Sequence, residues 1–337
     1  MSLDFNVDPY YDDFDQTKNY HRVLFRPGRA VQARELTQSQ TILQDQITKF
    51  ADNIFKQNSP VTGGQLTTNF NCYYIKLRTS YNNTPIDITK WYSASTNEGL
   101  LVRNSDGSVI ARVLQALPAS GSNPPTLVVS YKSGTQFTDS DIIYDVNSEL
   151  AVQAIDQSST GLSSVASISE GVFYILGNFV QIQPSTVVID AYNNAPSRRI
   201  GLTITETVHD YIDDASLLDP AVGASNYQAP GADRYYIGIQ LDSRPIQFGD
   251  DQNFVELARI LDGGVQKLVD SSVYNVIDDY FAKRDFETNG DYVVNDFKIT
   301  PKTTDDTSKF TISVGKGLAY VHGYRVENNV PVDLTVD

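Results

Sequence analysis

Apolar residues recur with a helical period near the N-terminus of the chain. From about 31 to 55 the sequence has neither glycine nor proline, and a set of its residues follows alternating spacings of three and four, which is typical of a heptad seam. We predict a helix whose narrow seam packs between identical helices, with Gln40 fixing the register. A helix packed on its own β domain is the alternative. The predicted oligomerisation seam consists of Ala33, Leu36, Gln40, Leu43, Ile47, Phe50 and Ile54.

After a closing segment at 58–64 the pattern changes to a period of two, which indicates strands. Two apolar runs at 99–103 and 109–114 flank Asp106 and Gly107, and this dipeptide is the preferred chemistry of a tight turn. We predict a β-hairpin there. Further strands are predicted at 72–77 and 126–131.

One apolar motif occurs twice. The segments 170–180 and 316–326 share Gly, Tyr, Gly and Val at steps of three. Each predicts two short strands that reverse at the second glycine, Gly177 or Gly323, with Tyr174 or Tyr320 on the hairpin surface. The recurrence suggests a duplicated β building block.

These patterns predict a mainly β fold class: an N-terminal extended arm and a long helix, a candidate trimeric coiled coil, then two or more domains like β-sandwiches or β-barrels. An irregular helical spacing predicts a second helix near 265–284. A low-complexity stretch at 157–164 is interpreted as a loop near a domain boundary. The predicted domains are an attachment and oligomerisation region at 1–60, a β domain at 61–165, and a second β region at 166–337, with two subdomains as an option.

The first residues lack either period. The stretch 8–15 is acidic and aromatic and has too little aliphatic content to fold alone. We expect an extended arm that orders against another surface. The predicted attachment residues are Tyr10, Tyr11, Phe14, Tyr20 and Phe25.

Composition supports the β class and narrows the partners. The chain has 337 residues with 20 Tyr and 15 Phe against one Trp, an aromatic content that favours strands. Its formal net charge of -15 opposes binding to a phosphate backbone, so no nucleic-acid partner is expected.

No run of residues is apolar enough to predict a membrane helix. With a single cysteine, Cys72, the chain has no intrachain disulfide, and we expect assembly in a reducing cytoplasm.

Candidate chemistry is sparse. His21, His209 and His322 lie far apart and form no metal-binding spacing. The carboxylates at 12–15 and 210–214 match no calcium loop, and we interpret them as solvated surface. Cys72 lies in a strand pattern and is interpreted as a small buried residue. We predict no catalytic, cofactor or metal site, and therefore no enzyme.

Three segments, at 20–38, at 214–221 continuing to 226–235, and at 284–292, together resemble a family of virion proteins of tailed phages, common in myoviruses of cyanobacteria and labelled as a domain of unknown function. The resemblance implies a structural role in the tail and no reaction. Members often continue past the position of Asp337, which implies a short member or the N-terminal attachment part of a longer product.

The resulting expectation is a homotrimeric tail, baseplate or fibre-attachment subunit, located in the virion after assembly in the host bacterial cytoplasm. Its expected partners are its own copies and other tail proteins, with no membrane. The alternative is a tail fibre protein that binds a receptor or glycan on the host, favoured by exposed tyrosines. A hydrolase on a β scaffold is the third class, and the sequence lacks the acid pair or metal set that it requires.

Overall fold

The structure is a computed structural model that describes residues 3–93, 96–147, 149–247, 252–268, 275–302, 310–328 and 332–336. The chain divides into two compact units. Unit 1 comprises Met1–Ile47 with Gln57–Ser271, and unit 2 comprises Thr48–Lys56 with Ser272–Asp337. This division differs from the predicted one, whose boundary near 165 falls inside a strand that is paired on both sides.

The described residues contain two α-helices. Helix α1 spans Ala33–Ala51 and helix α2 spans Asn275–Asn289. The backbone N–H of Gln32 donates to the Glu35 carboxylate at 2.9 Å, half of a capping box that fixes the start of α1. Gly290, with φ +68°, follows the last residue of α2, as glycine commonly does at a helix end.

Both helix predictions need correction. Helix α1 is shorter than the predicted 31–55, and its 19 residues amount to fewer than three heptads, so a long coiled coil is not supported. The second helix begins ten residues later than expected, at Asn275. Residues 264–268 form a strand instead, because the turn at Asp262 and Gly263 folds Val265 back onto Ile260.

Twenty-five strands account for most of the ordered backbone in the described residues, and the protein is mainly β as predicted. Every pairing between named strands in the described part is antiparallel. The strands of unit 1 are β1 (Ser59–Gly63), β2 (Leu66–Lys76), β3 (Ser80–Tyr81), β4 (Thr84–Pro85), β5 (Tyr92–Ser93), β6 (Glu98–Gly99), β7 (Leu101–Arg103), β8 (Ile110–Leu117), β9 (Thr126–Ser133), β10 (Ile142–Asp145), β11 (Ala151–Gln153), β12 (Thr160–Ile168), β13 (Gly171–Ile175), β14 (Asn178–Ile182), β15 (Ser185–Asp190), β16 (Arg198–His209), β17 (Arg234–Pro245), β18 (Phe254–Leu261) and β19 (Gly264–Leu268). Those of unit 2 are β20 (Tyr292–Asn295), β21 (Ile299–Lys302), β22 (Phe310–Val314), β23 (Gly317–Val321), β24 (Tyr324–Asn328) and β25 (Val332–Val336).

The six strands of unit 2 repeat an arrangement found in unit 1. In unit 1, β1, β13 and β14 form one sheet in that order, and β2, β12 and β15 are consecutive neighbours in another. In unit 2, β20, β23 and β24 form one sheet and β21, β22 and β25 the other. Each set follows a helix. We call α1 with β1, β2 and β12 to β15 the first repeat, and α2 with β20 to β25 the second repeat.

The two repeats also agree in register. In the first, Pro60 pairs with Phe173 and Thr62 with Val172, which leaves one residue of β1 in a bulge. In the second, Val293 pairs with Ala319 and Asn295 with Leu318, with a bulge at the same place.

Further along, the matching connections carry matching hydrogen bonds. The Ser169 N–H donates to the Gln65 carbonyl at 3.1 Å, and the Gly315 N–H donates to the Lys298 carbonyl at 2.7 Å. A shared topology, bulge and connection extend the predicted duplication from a hairpin to a whole supersecondary unit.

The first repeat differs from the second by a long insertion between β2 and β12, residues 77–159. Five of its strands extend the sheet of β2 to eight strands, in the order β11-β10-β7-β8-β9-β2-β12-β15. It has its own core around Trp91, Phe137 and Ile143. The predicted hairpin at Asp106 and Gly107 lies here and is confirmed, with Arg103 opposite Ile110.

A second core joins the first repeat to a four-stranded sheet. That sheet has the order β17-β16-β18-β19, and it faces residues of β12 to β15 across an aliphatic cluster. The cluster contains Phe173, Ile175 and Val180 from the repeat, together with Leu202 and Leu257 from the sheet.

Two local predictions have opposite outcomes. The paired hairpins are confirmed, because Leu176 and Gly177 in one and His322 and Gly323 in the other have positive φ, as a two-residue turn between strands requires. Tyr174 is not on the surface, however, and its side chain is fully buried.

The low-complexity stretch is the other correction. Its composition predicts a loop, yet from residue 160 onward it belongs to β12, paired with both β2 and β15. Its Ser163 and Ser164 hydroxyls donate to the carbonyl of Asp190, so these small polar side chains are buried without loss of hydrogen bonds.

Candidate interaction surfaces

Helix α1 contacts its own chain through polar side chains. Asp13 of the N-terminal arm accepts hydrogen bonds from Arg34 at 2.9 Å and Gln38 at 3.1 Å. Gln44 donates to the carbonyl of Gly177, in the turn of the first repeat, at 2.9 Å. Among the larger aliphatic residues of the helix, Ile42 is buried. The helix is therefore held largely by its polar side, the reverse of the usual amphipathic arrangement.

The predicted seam occupies the exposed side of the same helix. Leu36, Leu43, Ile47 and Phe50 retain between 47% and 69% of their accessible surface. Ala33 and Gln40 are also exposed, whereas Ile54 lies beyond the helix end and is half-buried. The structure thus places six of the seven seam residues on α1 and leaves its large apolar members uncovered in the single chain.

The N-terminal arm lies against its own chain. The Tyr10 hydroxyl donates to Asp233 at 2.6 Å, and that bond raises the pKa of Tyr10 to about 12. The Phe5 ring meets Tyr235 edge-on at 5.0 Å. The Tyr235 hydroxyl donates to Glu206, and burial of the ring, together with that bond, raises its pKa.

The predicted attachment residues of the arm differ in exposure. Tyr10 and Phe14 are half-buried, while Tyr11, Tyr20 and Phe25 are exposed. A cavity of about 310 Å³ lies between part of the arm and α1, beside the Asp13 contacts, and its lining includes charged side chains of both signs. Their attachment role stays a prediction.

An open groove of about 520 Å³ runs between the β14 and β15 segment and β17. Its lining combines aromatic rings, including Phe179 and Tyr236, with side-chain amides such as Gln183 and Gln240. Rings and amides together suit ligands that carry both apolar faces and hydroxyl groups.

The histidines remain apart in the fold. His21 is exposed, His209 lies against the Tyr236 ring and His322 against the Phe286 ring. Within the described residues, no group of three or more His, Cys, Asp or Glu is arranged to hold a metal ion.

The two carboxylate groups have structural partners. Asp15 and Asp214 each accept the backbone N–H two residues ahead and so cap a short 3-10 helix. The hydroxyl of that residue, Thr17 or Ser216, together with the backbone N–H, lowers the pKa of both carboxyl groups. Asp12 accepts from Thr41 of α1. The prediction of a solvated surface is therefore incomplete, because these carboxylates also accept hydrogen bonds from the protein.

Cys72 is fully buried in β2, as predicted. Burial raises the pKa of its thiol to about 11, which keeps the nucleophilic thiolate scarce near neutral pH. A role as a nucleophile is disfavoured on that ground.

The three segments of the resemblance occupy different places. The first, 20–38, leads into α1 and forms its first turns. The second, 214–235, connects β16 to β17 and is closed by hydrogen bonds, such as Gly231 N–H to the Leu217 carbonyl. The third, 284–292, ends α2 and enters β20. Each marks the entry to a repeat or the end of the β16–β17 ribbon.

The fold defines a mainly β protein built on a repeated unit of one helix and six strands, with an insertion in the first copy. Neither helix in the described ranges is long and apolar enough to span a bilayer. Residues 8–81 and 149–337 match the family described as Domain of unknown function (DUF4815), and because these ranges cover well over half of the sequence, the chain belongs to that family. The unmatched internal stretch, 82–148, lies inside the insertion. No curated protein and no solved structure matches the chain.

Proposed function

We propose that this chain is a structural subunit of a bacteriophage tail, in the baseplate or the fibre-attachment region, and that it acts through oligomerisation and protein contacts. The observation that carries the proposal is the exposed seam of α1. Four large apolar side chains on a helix otherwise held by hydrogen bonds would lose their contact with water in an oligomer.

The seam suits a small homo-oligomer, and three copies is the state we propose. Apolar positions spaced by three and four residues lie on one stripe, which three parallel helices can enclose. With 19 residues, α1 is too short to hold such a bundle alone, so the proposal assigns part of the contact to the arm and to the β layers, which we propose form sandwich-like bodies.

The first experiment measures the mass of the full chain in solution. We expect a mass that is a multiple of three chains, and we expect Leu43→Glu with Phe50→Glu to abolish this three-fold association, because each chain would bring two charges into the bundle. Gln46→Glu adds the same charge to an exposed position outside the seam and should leave the trimer intact. A monomeric wild-type chain would contradict the oligomer.

The second experiment places the chain in the particle. Mass spectrometry of purified phage and labelling with an antibody should locate it in the tail. Its absence from purified particles would contradict the tail assignment, whatever its mass in solution.

A second candidate is a receptor- or glycan-binding fibre protein, and the groove beside β17 favours it. Stacking on Tyr236 and hydrogen bonds to Gln183 and Gln240 would recognise a sugar ring. Binding of the isolated chain to host cells, reduced by Tyr236→Ala and unaffected by Tyr227→Ala on the exposed loop, would favour this function over the structural one.

A further inference from the structure

The two repeats differ in what covers their strands. Ile175 of β13 is fully buried and Val180 of β14 is 8% exposed. Their counterparts in register, Val321 of β23 and Val326 of β24, are 43% and 46% exposed. The same backbone therefore bears a core face in one repeat and an uncovered aliphatic face in the other.

A third position follows the same pattern. Leu66 of β2 packs against the aliphatic core of unit 1. Ile299 of β21 corresponds to it, because each pairs with the last residue of the neighbouring strand, Ile168 or Val314. Ile299 is 63% exposed. We call Ile299, Val321 and Val326 the aliphatic face.

In the first repeat the covering layer is a β-sheet. Leu202 of β16 with Val255 and Leu257 of β18 belong to the same buried cluster as Ile175 and Val180. Among the described residues of unit 2, the strands are the six of the repeat itself. By analogy with the first repeat, the aliphatic face is suited to pack against another β-sheet that presents aliphatic side chains.

We propose that the aliphatic face packs against the same face of a second copy of the chain, sheet on sheet. A two-fold contact needs a surface that complements itself, and three aliphatic side chains without a charge meet that requirement. The charged neighbours Arg325 and Glu327 bond each other at 2.7 Å, and strand alternation places them on the opposite side from Val326. Tyr324 pairs with Val321 and lies on the same side of the strands, with its hydroxyl donating to Asp279. The three aliphatic side chains form the uncharged part of the contact, which suits a chain with a net charge of -15, because its acidic surfaces repel each other.

This contact goes beyond the proposed function, since it uses unit 2 and none of the residues of the α1 seam. The test therefore starts from the full chain with Leu43→Glu and Phe50→Glu, in which the seam is disrupted. In that background we expect a dimer by light scattering, and we expect Val321→Asp with Val326→Asp to halve the mass. If the seam-disrupted chain is already a monomer without the aspartates, this proposal is overturned. The proposed role of the α1 seam is not affected by that result.

Disulfide cross-linking locates the contact. Val326→Cys places a thiol on the aliphatic face, and Arg325→Cys places one beside it on the opposite side of the strand. The native Cys72 is fully buried, so we expect it not to take part in cross-links between chains. We expect covalent dimers to form at least about tenfold faster with Val326→Cys, because two-fold packing brings equivalent residues together. Equal rates at 325 and 326 would overturn the proposal, and unchanged thermal unfolding of both variants shows that each is folded.

Discussion

The two repeats share topology, register and a bulge, yet one is the centre of a core and the other has a bare face. Pairing of Gly171 with Gly63 brings these backbones so close that a side chain on either would clash, whereas in the second repeat Gly317 lies against the Phe297 ring. The comparison shows that two copies of a unit can keep the same strand pairing while different residues pack around them.

The connection between the second and third strands shows the same separation. In the first repeat it holds the insertion with its own core, and in the second β21 and β22 are joined by residues 303–309, which lie outside the described ranges. The end of a hairpin tolerates added chain because few contacts cross it. The family match, which omits 82–148, is consistent with an insertion into a shared framework.

The largest expected effect comes from equivalent core positions. Ile175→Ala should lower the free energy of unfolding of unit 1 by about 2–5 kcal/mol, because it empties a closed core. Val321→Ala, on the exposed counterpart, should cost less than about 1 kcal/mol. Denaturant unfolding at concentrations where the seam-disrupted chain is monomeric measures both. Equal losses would mean that the aliphatic face is already covered within one chain.

A smaller effect is expected at the turn of the second repeat. Gly323 has φ +78°, and a Cβ there would lie 1.8 Å from the Ala282 carbonyl of α2. Gly323→Ala should cost about 2–4 kcal/mol, from the left-handed backbone and the displaced helix. Gly290→Ala, also left-handed but in open space, should cost roughly 1 kcal/mol. Thermal unfolding compares the two, and similar losses would show that helix contact is unimportant.

The smallest effect concerns how each turn is tied to a helix. Neutral Gln44 holds the first turn, whereas in the second Asp279 accepts from the Tyr324 hydroxyl at 2.5 Å and pairs with Lys56. The bond to Lys56 lowers the pKa of Asp279. Because the folded pKa is the lower one, this stabilisation is present above the unfolded value of about 4 and is lost as the pH falls through the folded pKa.

Asp279→Asn should therefore reduce the loss of unfolding free energy of unit 2 on acidification. The expected difference is less than about 1 kcal/mol because the Asp279–Lys56 pair is exposed. Unfolding followed between pH 7 and pH 3 measures this difference, with Glu287→Gln as a control on the same helix. An identical pH profile for Asp279→Asn and the wild type would show that the Asp279–Lys56 ion pair does not contribute to the stability of unit 2.

Short-range signals made several features predictable. The Asp106-Gly107 turn and the two Gly-x-x-Tyr-x-x-Gly hairpins follow from backbone angles that few residues adopt, and the seam positions follow from helical spacing. The strand β12 was not predictable because its serines satisfy their hydrogen bonds with the backbone carbonyls of Asp190 and Asn193, which lie far along the chain. The remaining strands of the second repeat share too few residue types with the first to reveal the common topology.

The sequence alone determined the β class, the helix near the start, the turn positions and the acidic charge, because each depends on neighbouring residues or on composition. Only the tertiary structure decided which apolar residues are covered. Val180 and Val326 are the same residue type in the same hairpin motif, and their exposure differs because β16 and β18 cover one of them. Burial is a property of what packs against a strand, and the strand's own sequence does not contain it.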